Sequence, residues 1–195
     1  MSAGVYHLEI EQGGDFALAL TYKDSAGLVL DLSSGYTALM NIKESYLDTT
    51  PIDSLTTATG EIVLSNGIGS TSTGTIAVDA SQSVVTVTIS SGEHGYNAGD
   101  FINISGGAPQ EYNGVFEVIS TPTAGTFTYN AVAGDTVTDS SVSFYPIIAN
   151  IDITIGHGTT AAYDFSHAFY DLQIDQATTT TKVLRGKVKL IRELN

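Results

Sequence analysis

The sequence predicts an all-β protein: one β-sandwich interrupted by a second, smaller β module. Three observations carry that reading. Only 14% of the residues are charged, well under the usual quarter, and Thr, Ser and Gly supply much of the polar surface instead. Apolar residues recur with period two in short runs separated by turn residues. No Lys or Arg occurs between Lys43 and Lys182, so a long middle block differs in composition from both ends. With 195 residues and 42% hydrophobic content, the chain is long and apolar enough for one large or two small packed domains.

Val5 to Glu11 reads as a first strand, closed by the turn Gln12-Gly13-Gly14. From Asp15 to Lys23, Phe16, Leu18, Leu20 and Tyr22 share one face, the pattern of a half-buried strand. Asp24-Ser25-Ala26-Gly27 is a turn in which Gly27 can take positive φ. Leu28 to Leu32 is short and extended, and Tyr36 to Glu44 places Tyr36, Ala38, Met40 and Ile42 on one face. Ser45 to Thr57 is less regular, and Pro51 argues for an edge or a loop. Glu61 to Leu64 is extended, and Ser65 to Gly74 is of low complexity, a linker or exposed loop.

The middle block then offers short strands at Thr75 to Val78, Val84 to Ser90, Thr126 to Tyr129 and Ser141 to Ile148. Between them, His94 to Val118 reads as strand, glycine turn, strand. Five or six short strands fit a small barrel or sandwich. Asn150 to Ile155, Ala168 to Ile174 and Lys182 to Leu190 are strands of the first kind, with one helical turn expected within Thr159 to Phe165. Neither terminal piece buries a core alone. Together they supply about seven strands, the number in an immunoglobulin-like sandwich. The predicted domains are 1–70 with 148–195, discontinuous, and 71–147 as the insert, which a surface loop accepts at small entropic cost.

The net charge of −14, with seven of 21 acids between Ser70 and Pro146 and no base among them, argues against nucleic-acid and anionic-membrane partners. Five of the seven bases fall from Lys182 to Arg192. There Arg185, Lys187 and Lys189 point away from Leu184, Val188 and Leu190, either toward an acidic partner or as a solvated strand face. Without cysteine, disulfides and thiolate metal sites are excluded. Met1 to Ile10 has no signal-peptide pattern, and no run approaches the roughly 20 apolar residues of a bilayer span. A soluble product of the cytoplasm is expected.

No chemistry stands out. His7, His94, His157 and His167 lack partners at metal-ligand spacing. His7 reads as a strand residue, His94 as a turn cap, His157 as an exposed loop and His167 as the start of a strand. No G-x-S-x-G elbow or P-loop occurs. Asp152 with Asp171 or Asp175, and Glu9 with Glu11 or Asp15, are the acid pairs that could meet as in a glycosidase, against a background of accidental pairs. Tyr96 and Tyr112, flanking the glycine turns of the insert, are candidates for exposed contacts, against core or turn packing. Neither a cofactor nor a metal site is predicted.

Two stretches carry a resemblance. M-S-A-G-V-Y-H-L-E-I-E-Q-G-G-D-F (Met1 to Phe16), then L-T-Y-K-D-S-A-G-L-V-L-D-L-S-S-G-Y-T-A-L-M-N-I-K-E-S-Y (Leu20 to Tyr46), resemble small structural proteins of tailed bacteriophages. Those run from an E-Q-G turn through W-K-D-x-x-G to D-L-T-G-Y-T. Here Tyr22 takes the tryptophan place and Ser33-Ser34-Gly35 is one residue longer. Phe169 to Ile174 and Val183 to Leu190 resemble the same family's closing hairpin. The pattern also resembles the immunoglobulin-like N-terminal domain of phage baseplate upper proteins. In the insert, His94, Gly95, Gly99, Asp100, Ile104, Gly106, Tyr112, Asn113, Gly114, Phe116 and Val118 are similar to a phage tail and appendage module, H-G-x-x-x-G-D-x-v-x-I-S-G-A-x-x-x-Y-N-G-x-F-x-V, with Gly107 as one extra residue.

These resemblances imply a non-enzymatic virion structural protein, made in the host cytoplasm and located in the tail or baseplate. They imply other virion proteins and copies of itself as partners. The alternatives are a neck or capsid decoration protein, and a carbohydrate-binding adhesin that recognises a host-surface glycan. A glycan depolymerase would require two acids facing each other across a groove.

Overall fold

The computed structural model describes residues 3–79, 83–131 and 140–192; Met1 and Ser2, where the first resemblance begins, lie outside them. In chain order the strands are β1 (Gly4–Val5), β2 (Leu8–Glu11), β3 (Phe16–Leu20), β4 (Tyr36–Lys43), β5 (Asp53–Thr56), β6 (Ile62–Leu64), β7 (Ser72–Asp79), β8 (Val84–Ile89), β9 (Phe101–Ser105), β10 (Gly114–Thr123), β11 (Thr126–Asn130), β12 (Ser140–Ile147), β13 (Ile151–Ile155), β14 (His167–Gln176) and β15 (Thr179–Ile191). A 3-10 turn (Gln110–Tyr112) precedes β10, and one short helix, α1 (His157–Ala161), follows β13. No helix among the described residues is long and apolar enough to cross a membrane. The chain divides into two compact units, Met1–Gly67 with Ala149–Asn195, and Ile68–Ile148.

The first unit is a two-sheet sandwich. One sheet runs β1-β15-β14-β4-β5, with β2 also on β15; the other runs β3-β13-β6. Lettered A to G in chain order, these are A-G-F-C-C′ and B-E-D, the immunoglobulin-like arrangement with the first strand on the G edge. Alternation sets the layers. On β4, Ala38, Met40 and Ile42 are buried while Thr37, Leu39 and Asn41 are not; on β14, Ala168, Tyr170, Leu172 and Ile174 are buried. Ile151, Ile153 and Ile155 of β13 face them from the second sheet. Pro51 precedes β5, which is an edge strand.

Three local features differ from the sequence reading. The first strand is split: β1 and β2 both lie parallel to β15, at Leu184–Arg185 and at Val188–Ile191, and His7 sits in the break rather than in a strand. The break follows from Gly186, where a Cβ would stand 1.7 Å from the Tyr6 carbonyl oxygen. The strand after Asp15 ends at Leu20, yet Tyr22 still packs on the core. Its backbone is held instead by Asn150. That fully buried side chain accepts a hydrogen bond from the Tyr22 N–H (2.6 Å) and donates to the carbonyls of Tyr22 (3.0 Å) and Leu30 (2.7 Å). The helical turn begins at His157, two residues earlier than expected.

The second unit is a closed antiparallel barrel, β10-β11-β8-β7-β12-β9. Closure leaves no free edge. Ile76, Val87, Ile104, Phe127, Tyr129 and Phe144 fill its interior with almost no exposure. The supposed linker is partly barrel wall: β7 starts at Ser72, and Gly74 is buried where a Cβ would lie 2.4 Å from the Thr88 carbonyl oxygen. A glycine that permits close strand approach looks, in sequence, like one that permits flexibility.

Candidate functional site

All seven Lys and Arg residues belong to the sandwich unit. Five of them, Lys43, Lys182, Arg185, Lys187 and Lys189, project from the outer face of β15-β14-β4. The pairing register explains the gathering. Lys187 stands opposite Phe169, which in turn faces Lys43; Arg185 stands opposite Asp171, and Lys182 opposite Gln173. Because Val188 and Leu190 are buried in the core, Lys187 and Lys189 turn outward. Lys182 pairs with Asp171 and also donates to Gln173 Oε1 (2.6 Å). Lys189 pairs with Glu9 at 3.1 Å. Among the described residues, Arg185 and Lys187 have no carboxylate within ion-pair distance.

On this face lies a recess of about 530 Å³, whose lining includes Asn41, Lys43, Tyr46, Phe169, Asp171 and Arg185. The rings of Tyr46 and Phe169 lie 4.4 Å apart, and Tyr46 is 60% and the adjoining Leu47 91% exposed. Sequence reasoning found the β15 cations from their alternation. It missed Lys43 and the Tyr46–Phe169 shelf, because only the β4–β14 pairing brings those distant segments together.

The two tyrosines of the insert have other roles. Tyr112 is fully buried and so presents no ring at the surface. It sits in the 3-10 turn that leads into β10, and the buried Tyr129 hydroxyl donates to its carbonyl oxygen at 2.9 Å. Burial, then the proximity of Tyr112, raises the Tyr129 hydroxyl well above the ordinary tyrosine range. Tyr96 is half-buried, edge-on to Phe127 (5.3 Å between centroids) and Phe144 (6.4 Å). Burial and, secondarily, the Asp100 charge raise its pKa.

The motif residues of the insert are likewise engaged in folding. His94 Nδ1 accepts from the Tyr96 N–H (2.9 Å), which leaves Nε2 as the protonated nitrogen, donating to the carbonyls of Thr123 (3.0 Å) and Thr126 (3.2 Å). It clamps the β10–β11 hairpin. Asn113 closes the loop before β10: Gly107 N–H donates to its Oδ1 (2.8 Å), and its Nδ2 donates to the Gly107 carbonyl (2.7 Å).

The pairs built on Asp152 do not converge. Asp152 lies between the inward Ile151 and Ile153 of one sheet, and Asp171 between the inward Tyr170 and Leu172 of the other, so the two carboxylates face outward on opposite sides of the sandwich. Glu9 is held by Lys189, and Asp15 accepts the His157 N–H at 2.7 Å. His157 is highly exposed, its ring 3.4 Å from Asp15. A buried contact that sequence did not foresee is Tyr163, whose hydroxyl donates to Asp53 Oδ2 at 2.5 Å. Burial, then this bond and the Asp53 charge, lift its pKa far above the usual value. Among the described residues, no group of three or more His, Asp or Glu side chains is placed to hold a metal ion. No protein-family model matches the chain, and no curated protein aligns with it significantly.

Proposed function

We propose that the protein is a non-enzymatic structural component of a tailed-bacteriophage virion, in the tail or baseplate, where it mediates protein–protein assembly. One observation carries the reading. The outward groups that stand apart chemically are an aromatic and cationic sheet face, while the motif histidine, asparagine and tyrosine of the barrel are spent on its own folding. A broad face with two packed aromatic rings and cations that lack an ion-pair partner suits a protein partner, for aromatic and Arg side chains are enriched where interfaces are strongest. The resemblance to phage structural proteins supplies the setting, and repetition in a particle lets weak contacts add.

Immunogold labelling of purified phage particles with antibody against the protein tests this. Label at the tail or baseplate is expected. Label at the neck or on the capsid supports the decoration alternative, and particles that lack the protein refute the proposal. A second reading, a host-recognition adhesin, draws on the Tyr46–Phe169 shelf, since exposed rings stack on sugars. Specific, saturable binding on a glycan array that is lost in Tyr46→Ala would favour it.

A further inference from the structure

We propose that the basic outer face of β15-β14-β4 in one copy of the chain receives the acidic barrel unit of a second copy. The inference deepens the assembly reading above by naming a partner and a surface. Its starting point is the placement of the bases. Residues 68–148 hold seven acids and no Lys or Arg, a formal charge of −7, while the other unit, also −7 overall with its 14 acids, holds all seven bases. Five of those bases share one sheet face. Arg185 and Lys187 at its centre have no carboxylate within ion-pair distance among the described residues, and the carboxylates that share the face on β14 are Asp171 and Asp175.

The apolar surfaces match as well. Beside the cations stand Tyr46 (60% exposed) and Leu47 (91%). On the barrel, the outward positions of β10 are Val115 (36% exposed), Glu117 and Ile119 (40%), a carboxylate between two aliphatic side chains. Each surface thus offers apolar area flanked by charge of opposite sign, the complementarity that steers and orients association. Contact between these two different surfaces is either reciprocal, which closes a two-fold dimer, or successive, which gives a ring or an open filament.

Sedimentation velocity of the full chain tests the inference. In a concentration series at about 50 mM salt the protein should self-associate reversibly, and at about 500 mM salt, where exposed charges are screened, association should weaken about tenfold or more. Arg185→Glu with Lys187→Glu should remove association, as should Glu117→Lys. Mixing these two variants should restore it, because each then carries the complement of the other's altered surface. Should a reversal variant fail to fold by far-UV circular dichroism, the neutral pair Arg185→Gln with Lys187→Gln replaces it and should also weaken association. A wild-type monomer throughout the low-salt series, undiminished association of a reversed or neutralised variant, or no recovery on mixing would overturn the inference. None of these outcomes bears on whether the protein is found in particles, so the virion reading stands or falls separately.

Discussion

Asn150→Ala is the substitution whose cost follows most directly from the structure. The side chain is fully buried and makes three hydrogen bonds, to the Tyr22 N–H, the Tyr22 carbonyl and the Leu30 carbonyl. The Tyr22 carbonyl keeps a second donor, the Leu30 N–H at 3.1 Å. The Tyr22 N–H and the Leu30 carbonyl lose their Asn150 partner. At about 1–3 kcal/mol for each of the two groups left unsatisfied, the expected loss is about 2–6 kcal/mol. The affected segment joins residues 20–30 to the chain where it returns from the insert, so the sandwich should weaken as a whole. Urea unfolding followed by far-UV circular dichroism measures the change. Asn150→Asp separates the roles: it keeps an acceptor for Tyr22 but offers the two carbonyls no donor, and it should cost nearly as much as Ala. A loss below about 1 kcal/mol for Asn150→Ala would refute this, because water or a shifted backbone would then have replaced the amide.

Gly186→Ala places a Cβ against the Tyr6 carbonyl, and Gly74→Ala places one against the Thr88 carbonyl; each should cost about 3 kcal/mol. Amide hydrogen exchange should assign the first loss to the sandwich strands and the second to the barrel strands. Stability should fall at alkaline pH: burial, with Tyr6 and Tyr46 nearby, pushes Tyr170 up to about 12, and Tyr129 and Tyr163 are also raised. A raised folded-state pKa means that the stabilisation is whole below the unfolded value near 10 and is lost as pH rises toward and past 12. Urea midpoints that stay flat from pH 9 to 12 would contradict it. Finally, β6 and β13 are antiparallel neighbours, with Leu64 opposite Ile151. Replacing 68–148 by a short glycine turn should therefore leave a hairpin and a cooperative thermal transition, and an unstructured product would refute the sandwich as an independent unit.

Much of this molecule was legible in the order of its residues. Period-two alternation in Tyr36–Lys43 and His167–Gln176 sets which side chains enter the core, because a strand offers each residue only two directions. Pro51 signalled an edge or a loop, and it lies just before the edge strand β5; the low charge with abundant turn residues signalled an all-β fold. Tyr112 shows where such reading stops. Its neighbours Asn113 and Gly114 are turn residues, which in sequence points to the surface, but the turn folds inward and caps the barrel. The end of Ser65 to Gly74, where β7 begins at Ser72, differs from expectation for a similar reason, since glycine composition is the same whether the backbone is free or closely packed.

The basic face shows the division most plainly. Alternation alone places Arg185, Lys187 and Lys189 on one side of one strand. Only strand pairing adds Lys43 and Phe169 beside them, and only side-chain geometry distinguishes the neutralised Lys182 and Lys189 from Arg185 and Lys187. Local pattern governs the direction a residue faces because that direction is set by its own backbone. Which residues share a surface depends on partners more than a hundred positions away, and that is decided by how the strands pair and by the burial that holds them together.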